Sequence, residues 1–339
     1  MTEADDVLAV SGLVQGAWRA MCLRAMVDLG IPDLLDGPTT VEQLGTRADA
    51  DPVHLVRLLR VLADLGLVAR DASGHYVLTA RGALLRNSHP GDLRSLALTQ
   101  TWPLNIAAWE GLADAVRSGD GTFEQVHGTS MWEALSRNPQ QEAVFNAAMA
   151  RRGALQAATL ADACDLSGVE KVVDVGGGSG ALLEALLGAE PRLRGVVADR
   201  PDVAAEAERR MAAAGLGERC EVAAADFFRE VPGGGDAYVL SNILHDWPDE
   251  DCVRILGVVR AAMRPGARLW VLERVLDPTP PRPPTVQADL HLLDLNMFVM
   301  FGARERTEGE YAALLTASGF DRPVVHTTPV LDVIEAVRG

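Results

Sequence analysis

Lys171-Val172-Val173-Asp174-Val175-Gly176-Gly177-Gly178-Ser179-Gly180-Ala181 is the stretch on which the fold turns. A run of β-branched residues with little polar alternation marks a strand buried on both faces. The glycines after it let backbone N–H groups approach a ligand closely, at the start of a helix predicted over Ala181–Leu187. Downstream, the apolar runs Gly195–Ala198, Glu221–Ala224, Asp236–Leu240 and Arg268–Leu272 alternate with helical stretches. That rhythm predicts an α/β domain with a mostly parallel sheet covered on both faces. The proline-rich stretch Asp277–Pro284 reads as an exposed connection, and Pro323–His326 with Val330–Ala336 as a closing antiparallel hairpin.

Upstream the pattern is helical. Val7, Val10, Leu13, Val14, Ala17, Met21, Ala25 and Leu29 recur at helical spacing, which predicts one long amphipathic helix over 7–30 with an apolar face to bury. Thr39-Thr40-Val41-Glu42-Gln43-Leu44 is a helix start of capping-box type, and Asp51-Pro52 opens a second helix through Leu65. Leu67–Arg70 and His75–Thr79, separated by the turn at Asp71–Gly74, predict a β-hairpin. Helix, turn, helix, hairpin is the layout of a winged helix. Three regions follow: a winged-helix module over 1–95, a helical connecting segment over 96–160, and an α/β domain over 161–339.

Composition narrows the function. A chain of 339 residues, 48% hydrophobic, can fill real cores. Its formal charge of −16 argues against a general nucleic-acid binder, which must displace phosphate counterions. A DNA-binding regulator is the rival that a winged helix raises. Yet between Thr39 and Pro90 six arginines face five acids, which leaves no electrostatic footprint. Cys22, Cys164, Cys220 and Cys252 form no C-x-x-C pair, so neither zinc nor disulfides are expected, and a reducing, cytoplasmic setting fits. Arg19, Arg24 and Asp28 interrupt the apolar stretch Leu13–Ile31, so neither a signal peptide nor a membrane span is expected.

The glycine turn alone is ambiguous. It suits an adenosylmethionine site, but with Ala181 it also reads as G-x-G-x-x-A, a dinucleotide fingerprint, with Asp199 where a ribose-binding acid belongs. A purely structural turn is the third possibility. Asp226-Phe227-Phe228 at the third strand end adds a carboxylate for an exocyclic amine and a ring for a purine. Three successive strand ends lining one crevice form a nucleoside site. The fourth ends in Ser241-Asn242-Ile243-Leu244-His245-Asp246-Trp247, which brings His245 to the same crevice, where a general base must meet substrate and cofactor.

With these motifs in order, the sequence resembles the small-molecule O-methyltransferases of the plant caffeate and bacterial polyketide-tailoring type. The resemblance runs on Asp174–Gly180, Asp226-Phe227-Phe228, His245-Asp246-Trp247 and Glu305-Arg306-Thr307. It implies a class I methyltransferase, Rossmann-like fold with an N-terminal dimerisation domain, hence a homodimer. It also implies S-adenosyl-L-methionine as cofactor, S-adenosyl-L-homocysteine as product, and no metal. Asp174, Gly176, Gly178, Asp199, Arg200, Asp226, Phe227 and Ser241 are then cofactor residues. His245 is the catalytic base, flanked by Glu273 and Glu305, and Phe145, Asn146, Met149, Asn242 and Met297 line the acceptor pocket. Ser241 and Asn242 depart from the plant pattern of lysine and tryptophan, so a phenylpropanoid is not required.

The implied acceptor is a hydroxyl on a small aromatic body, in bacterial secondary metabolism. A phenol of pKa about 10 facing an ordinary imidazole of about 6.5 would cost roughly 5 kcal/mol to deprotonate fully before attack. Concerted proton loss is therefore expected. The remaining rival is a decarboxylase or hydroxylase on the same fold.

Overall fold

The computed structural model describes residues 2–89, 93–278, 281–328 and 331–339. Thr279 and Pro280 of the proline-rich connection and Val330 of the expected hairpin lie outside them. The chain gathers into two compact units, Met1–Ile106 with Asn138–Ala148, and Ala107–Arg137 with Met149–Gly339. Residues 96–160 are shared between the two.

In the first unit the predicted capping box is present. The Thr40 hydroxyl accepts from the Gln43 backbone N–H at 3.2 Å, and the Gln43 side chain accepts from the Thr40 N–H at 3.1 Å. It opens the helix Val41–Ala48, and Asp51 caps the helix Pro52–Asp64 through the His54 N–H. Strands β1 (Val68–Arg70) and β2 (Tyr76–Leu78) pair antiparallel with Val68 opposite Leu78. Met26, Ile31, Leu44, Leu55, Leu59, Leu62 and Tyr76 form the buried core. The single helix expected over 7–30 is two, Glu3–Val14 and Gly16–Asp28, separated at Gln15 (ψ 0°). One residue off helical geometry leaves the apolar period almost intact, so the pattern could not reveal the break. The apolar face is not buried within the chain: Leu8, Leu13, Val14 and Trp18 are each more than 70% exposed.

In the second unit, β3 (Lys171–Val175), β4 (Arg194–Asp199), β5 (Cys220–Ala224), β6 (Ala237–Ser241) and β7 (Arg268–Glu273) are parallel. After them come the short strands β8 (Val275–Leu276) and β9 (Arg306–Thr307), which pair with each other, then β10 (Val324–His326) and β11 (Asp332–Val337). The large sheet has the order β10-β11-β7-β6-β3-β4-β5, with the expected hairpin β10–β11 antiparallel at its edge. Each predicted strand is found within a residue or two at either end. Val173, Val175, Tyr238 and Leu240 face a core with the helices Asp249–Ala262 and Glu308–Ala317. Val172, Val197, Val239 and Leu272 face another with the helices Gly153–Ala163, Ala181–Ala189 and Pro201–Ala213.

The order reverses between β3 and β6, so connections leave in opposite directions there and open a crevice at the carboxyl ends. Among the described residues no helix is long and apolar enough to cross a membrane.

Candidate active site

Gly176, Gly178 and Gly180 have φ of +70°, +57° and +78°, backbone that a side chain disfavours. A Cβ at Gly176 would lie 2.5 Å from Ile243 Cδ1 and 3.5 Å from Phe227 Cε1. The turn is thus a bare backbone cradle with an aromatic wall. Beneath it Asp174 is buried, and its Oδ2 has no hydrogen-bond partner among the described residues. Burial, then the charge of Asp199, push its carboxyl up to about 7. Asp199 accepts from the Gly178 N–H at 2.8 Å and the Arg200 N–H at 2.7 Å, and burial outweighs these bonds to raise its pKa.

Asp226 is exposed. It accepts from the Phe228 N–H at 3.0 Å and lies 3.4 Å from Arg229 Nε, while Phe227 packs edge-on to Trp247 at 6.0 Å. At the end of β6, Asn242 holds φ +52°, an uncommon state for a residue with a side chain. Its Oδ1 is buried with no partner among the described residues, and its Nδ2 donates to Ser241 Oγ at 3.4 Å.

The next turn, Leu244–Asp246, carries His245, which is 7% exposed. Its Nδ1 lies 2.8 Å from Glu305 Oε1 and 3.5 Å from Glu273 Oε2, both acids fully buried or nearly so. Its Nε2 is 3.6 Å from Asp246 Oδ1. Glu273 Oε1 accepts from three successive backbone N–H groups, Ile243 at 3.0 Å, Leu244 at 2.8 Å and His245 at 3.4 Å. One acid therefore holds both the turn and the ring it carries. Glu305 is held in turn, its N–H donating to Asp294 Oδ1 at 2.8 Å.

Burial alone would lower the imidazole pKa, but Glu273, Glu305 and Asp246 outweigh it and hold His245 up at about 10. Burial drives Asp246 up to about 7 against the pull of His245, and Glu273 is raised for the same reason. An imidazole with Nδ1–H anchored to Glu305 presents Nε2 as its proton acceptor. At a pKa near that of a phenol, the roughly 5 kcal/mol mismatch of an ordinary imidazole largely disappears.

The structure thus brings together His245, Glu273 and Glu305 as the sequence suggested, and adds Asp246 and Arg306. Arg306 is fully buried. It donates to the carbonyls of Leu244 at 2.7 Å and Trp247 at 2.8 Å and to Asp249, so it fastens the histidine turn from the other side. Only its place in the Glu305-Arg306-Thr307 motif could have flagged it. Met149 is half-buried and Met297 buried in the second unit, whereas Phe145 and Asn146 belong to the first unit, half-buried on the helix Pro139–Ala150. The donor atoms of His245, Glu273 and Glu305 converge closely enough for a cation. The Nδ1–Glu305 bond and the three amides occupy one oxygen of each acid, while Glu273 Oε2 and Glu305 Oε2 have no hydrogen-bond partner among the described residues.

Known proteins resemble the chain over most of its length. The O-methyltransferase domain matches residues 109–321, and the O-methyltransferase dimerisation domain matches residues 11–88. The chain is similar to the mitomycin biosynthesis 6-O-methyltransferase of Streptomyces lavendulae, 40% identical over 91% of this chain and 88% of that one. It is also similar to aclacinomycin 10-hydroxylase RdmB of Streptomyces purpurascens, 37% identical over 88% of this chain and 80% of that one. Among solved structures, the O-methyltransferase NcsB1 from neocarzinostatin biosynthesis, in complex with S-adenosylmethionine and 2-hydroxy-5-methyl naphthoic acid, superposes with a TM-score of 0.80. It is 33% identical, over 94% of this chain and 96% of that one.

The raised imidazole has a signature in stability. A folded-state pKa of about 10 against about 6.5 unfolded means that His245 contributes fully below pH 6.5 and loses that contribution as pH rises through 10. Asp246, half-titrated near 7, is largely ionised by about pH 8, so the window from about 8 to 10 reports chiefly on the histidine. In urea denaturation, the stability advantage of wild type over His245→Gln should shrink steadily across that window. An advantage that grows with pH there contradicts the assignment.

Proposed function

The chain belongs to the O-methyltransferase family, and from that premise we propose that it methylates a hydroxyl of a small aromatic acceptor in bacterial secondary metabolism. It is an S-adenosyl-L-methionine-dependent enzyme. The residues at the strand ends fit that cofactor. A backbone cradle closed to side chains, an aromatic wall at Phe227, and buried unpartnered oxygens on Asp174 and Asn242 together make a polar, narrow slot. Asp199 would hold the ribose and Asp226 with Phe227 the adenine, while Asp174, Gly176, Gly178, Arg200 and Ser241 surround the remainder. Asn242, Met149 and Met297 would meet the acceptor, and methionine adapts to many flat shapes.

When bound, the cofactor supplies an electrophilic methyl group. The protein must then orient the acceptor oxygen and take its proton. The 2.8 Å bond between His245 Nδ1 and Glu305 is the observation that carries this reading, because it fixes the ring and leaves Nε2 as base. General-base catalysis contributes about 10²–10⁴-fold, so His245→Ala should lower kcat by about that factor and leave adenosylhomocysteine affinity nearly unchanged. Turnover of a panel of hydroxylated arenes, followed by mass spectrometry, checks it. Products heavier by one oxygen instead of one methylene, or full activity in the variant, would contradict the reading.

We also propose a homodimer through the first unit. Leu8, Leu13, Val14 and Trp18 form an exposed apolar face on two successive helices within and beside the matched dimerisation domain. Light scattering at micromolar concentration should give twice the chain mass, and Leu13→Glu with Trp18→Glu should halve it. A wild-type monomer contradicts the proposal.

A further inference from the structure

In this acidic chain, deeply buried arginines of the second unit are answered by partners. Arg306 has Asp249 and two carbonyls, and Arg282 has Asp332 and the Val275 carbonyl. Arg152 and Arg274 differ. Arg274 directly follows Glu273 at the end of β7, and its Nη1 is buried with no hydrogen-bond partner among the described residues. Arg152 immediately precedes the helix Gly153–Ala163, is half-buried, and forms no side-chain hydrogen bond or ion pair among the described residues.

The charge of Arg274 reaches Arg152. Burial first, then Arg274 and Arg151, bring Arg152 down to about 10, and Glu305 is the acid that opposes them. One oxygen of Glu305 is committed to His245 at 2.8 Å; the other is buried with no hydrogen-bond partner among the described residues, so Glu305 makes no bond to Arg152. Gly153 sits so tightly on Ala181 that a Cβ there would fall 2.5 Å from its carbonyl carbon, which ties Arg152 to the helix leaving the glycine turn. Arg152 thus stands beside the helix that leaves the glycine turn and Arg274 beside Glu273, both half-buried and without an acid in ion-pair contact among the described residues. Unpaired buried charge is costly, and such strain at a functional site is relieved by the ligand that completes it.

We propose that Arg152 and Arg274 form an oxyanion subsite of the catalytic pocket that receives a carboxylate, carried by the aromatic acceptor or by the amino-acid end of the cofactor. The choice of these two sources rests on the methyltransferase reading above; the subsite itself does not. A planar carboxylate matches the guanidinium fork in two parallel bonds, which a neutral amide or hydroxyl does not. With the carboxylate on the acceptor, the substrate class narrows to hydroxylated aromatic acids. The rival reading is structural, with Arg152 serving only to balance Glu305.

Two pairs of probes decide it, each differing only at a carboxylate: S-adenosylhomocysteine against its α-carboxamide, and 1-hydroxy-2-naphthoate against its carboxamide. Calorimetry on full-length Arg152→Gln and Arg274→Gln should show about 10- to 100-fold weaker binding of one carboxylate probe and unchanged binding of its counterpart. Loss on adenosylhomocysteine assigns the cofactor carboxylate, and loss on the naphthoate assigns the acceptor. Without ligand, both variants should melt at or above the wild-type temperature, since a repulsion has been removed. Arg152→Lys, which keeps the charge without the fork, should recover part of the affinity. Unchanged affinity for both carboxylates overturns the proposal, as does a destabilised variant that loses every probe equally. No methyl transfer is needed for these readings, so a protein that selects carboxylates here yet methylates nothing would sink the function and keep the subsite.

Discussion

A single buried carboxylate, Glu273, holds the candidate site together. One of its oxygens gathers the N–H groups of Ile243, Leu244 and His245, and the other faces the imidazole that this same turn carries. Taking a carboxylate fully out of water costs several kcal/mol unless it is bonded in this way. Here three amides answer one oxygen, while the other lies 3.5 Å from the imidazole without a hydrogen bond among the described residues, so the backbone cannot drift without stranding a buried charge. The turn could not otherwise be so sharp at the end of a parallel strand, where Asn242 already departs into positive φ. Arg306 closes the same turn from the carbonyl side.

The chemistry follows from this anchoring. Because Glu273 and Glu305 both lie on the Nδ1 side of His245, the ring's orientation and its proton affinity are set by one arrangement. The acids raise the imidazole to the basicity of a phenol, which makes proton transfer nearly even. The same acids favour the protonated ring at neutral pH, so the proposed base is strong but occupied. Basicity and availability therefore oppose each other, and the pH of the medium decides between them.

Much of the fold was legible because its cues are local. The run Val172–Val175 reads as a strand buried on both faces and the glycines after it as a tight turn, and both are present. Thr40 with Gln43 announced a helix start that the structure contains. Asp199 and His245 were legible through their place at successive strand ends. What escaped was non-local. The break at Gln15 leaves no mark in apolar spacing, and no sequence feature says whether Arg152 or Arg274 finds an acid. The threefold grip of Glu273 on the 243–245 backbone joins positions about thirty residues apart, and the shift of His245 depends on that convergence.

Buried acids, Glu273 and then Glu305, set the proton affinity of the candidate catalytic imidazole. The most direct test is the pH dependence of kcat/KM, with an acceptor that does not titrate in the range, for wild type and Glu305→Gln. Wild type should rise about tenfold per pH unit above neutrality, with its midpoint well above the ordinary histidine value of about 6.5. Glu305→Gln keeps a hydrogen-bonding group but removes the charge, and its midpoint should fall toward 6.5. A wild-type midpoint at the ordinary value, or one that Glu305→Gln leaves in place, would contradict the account.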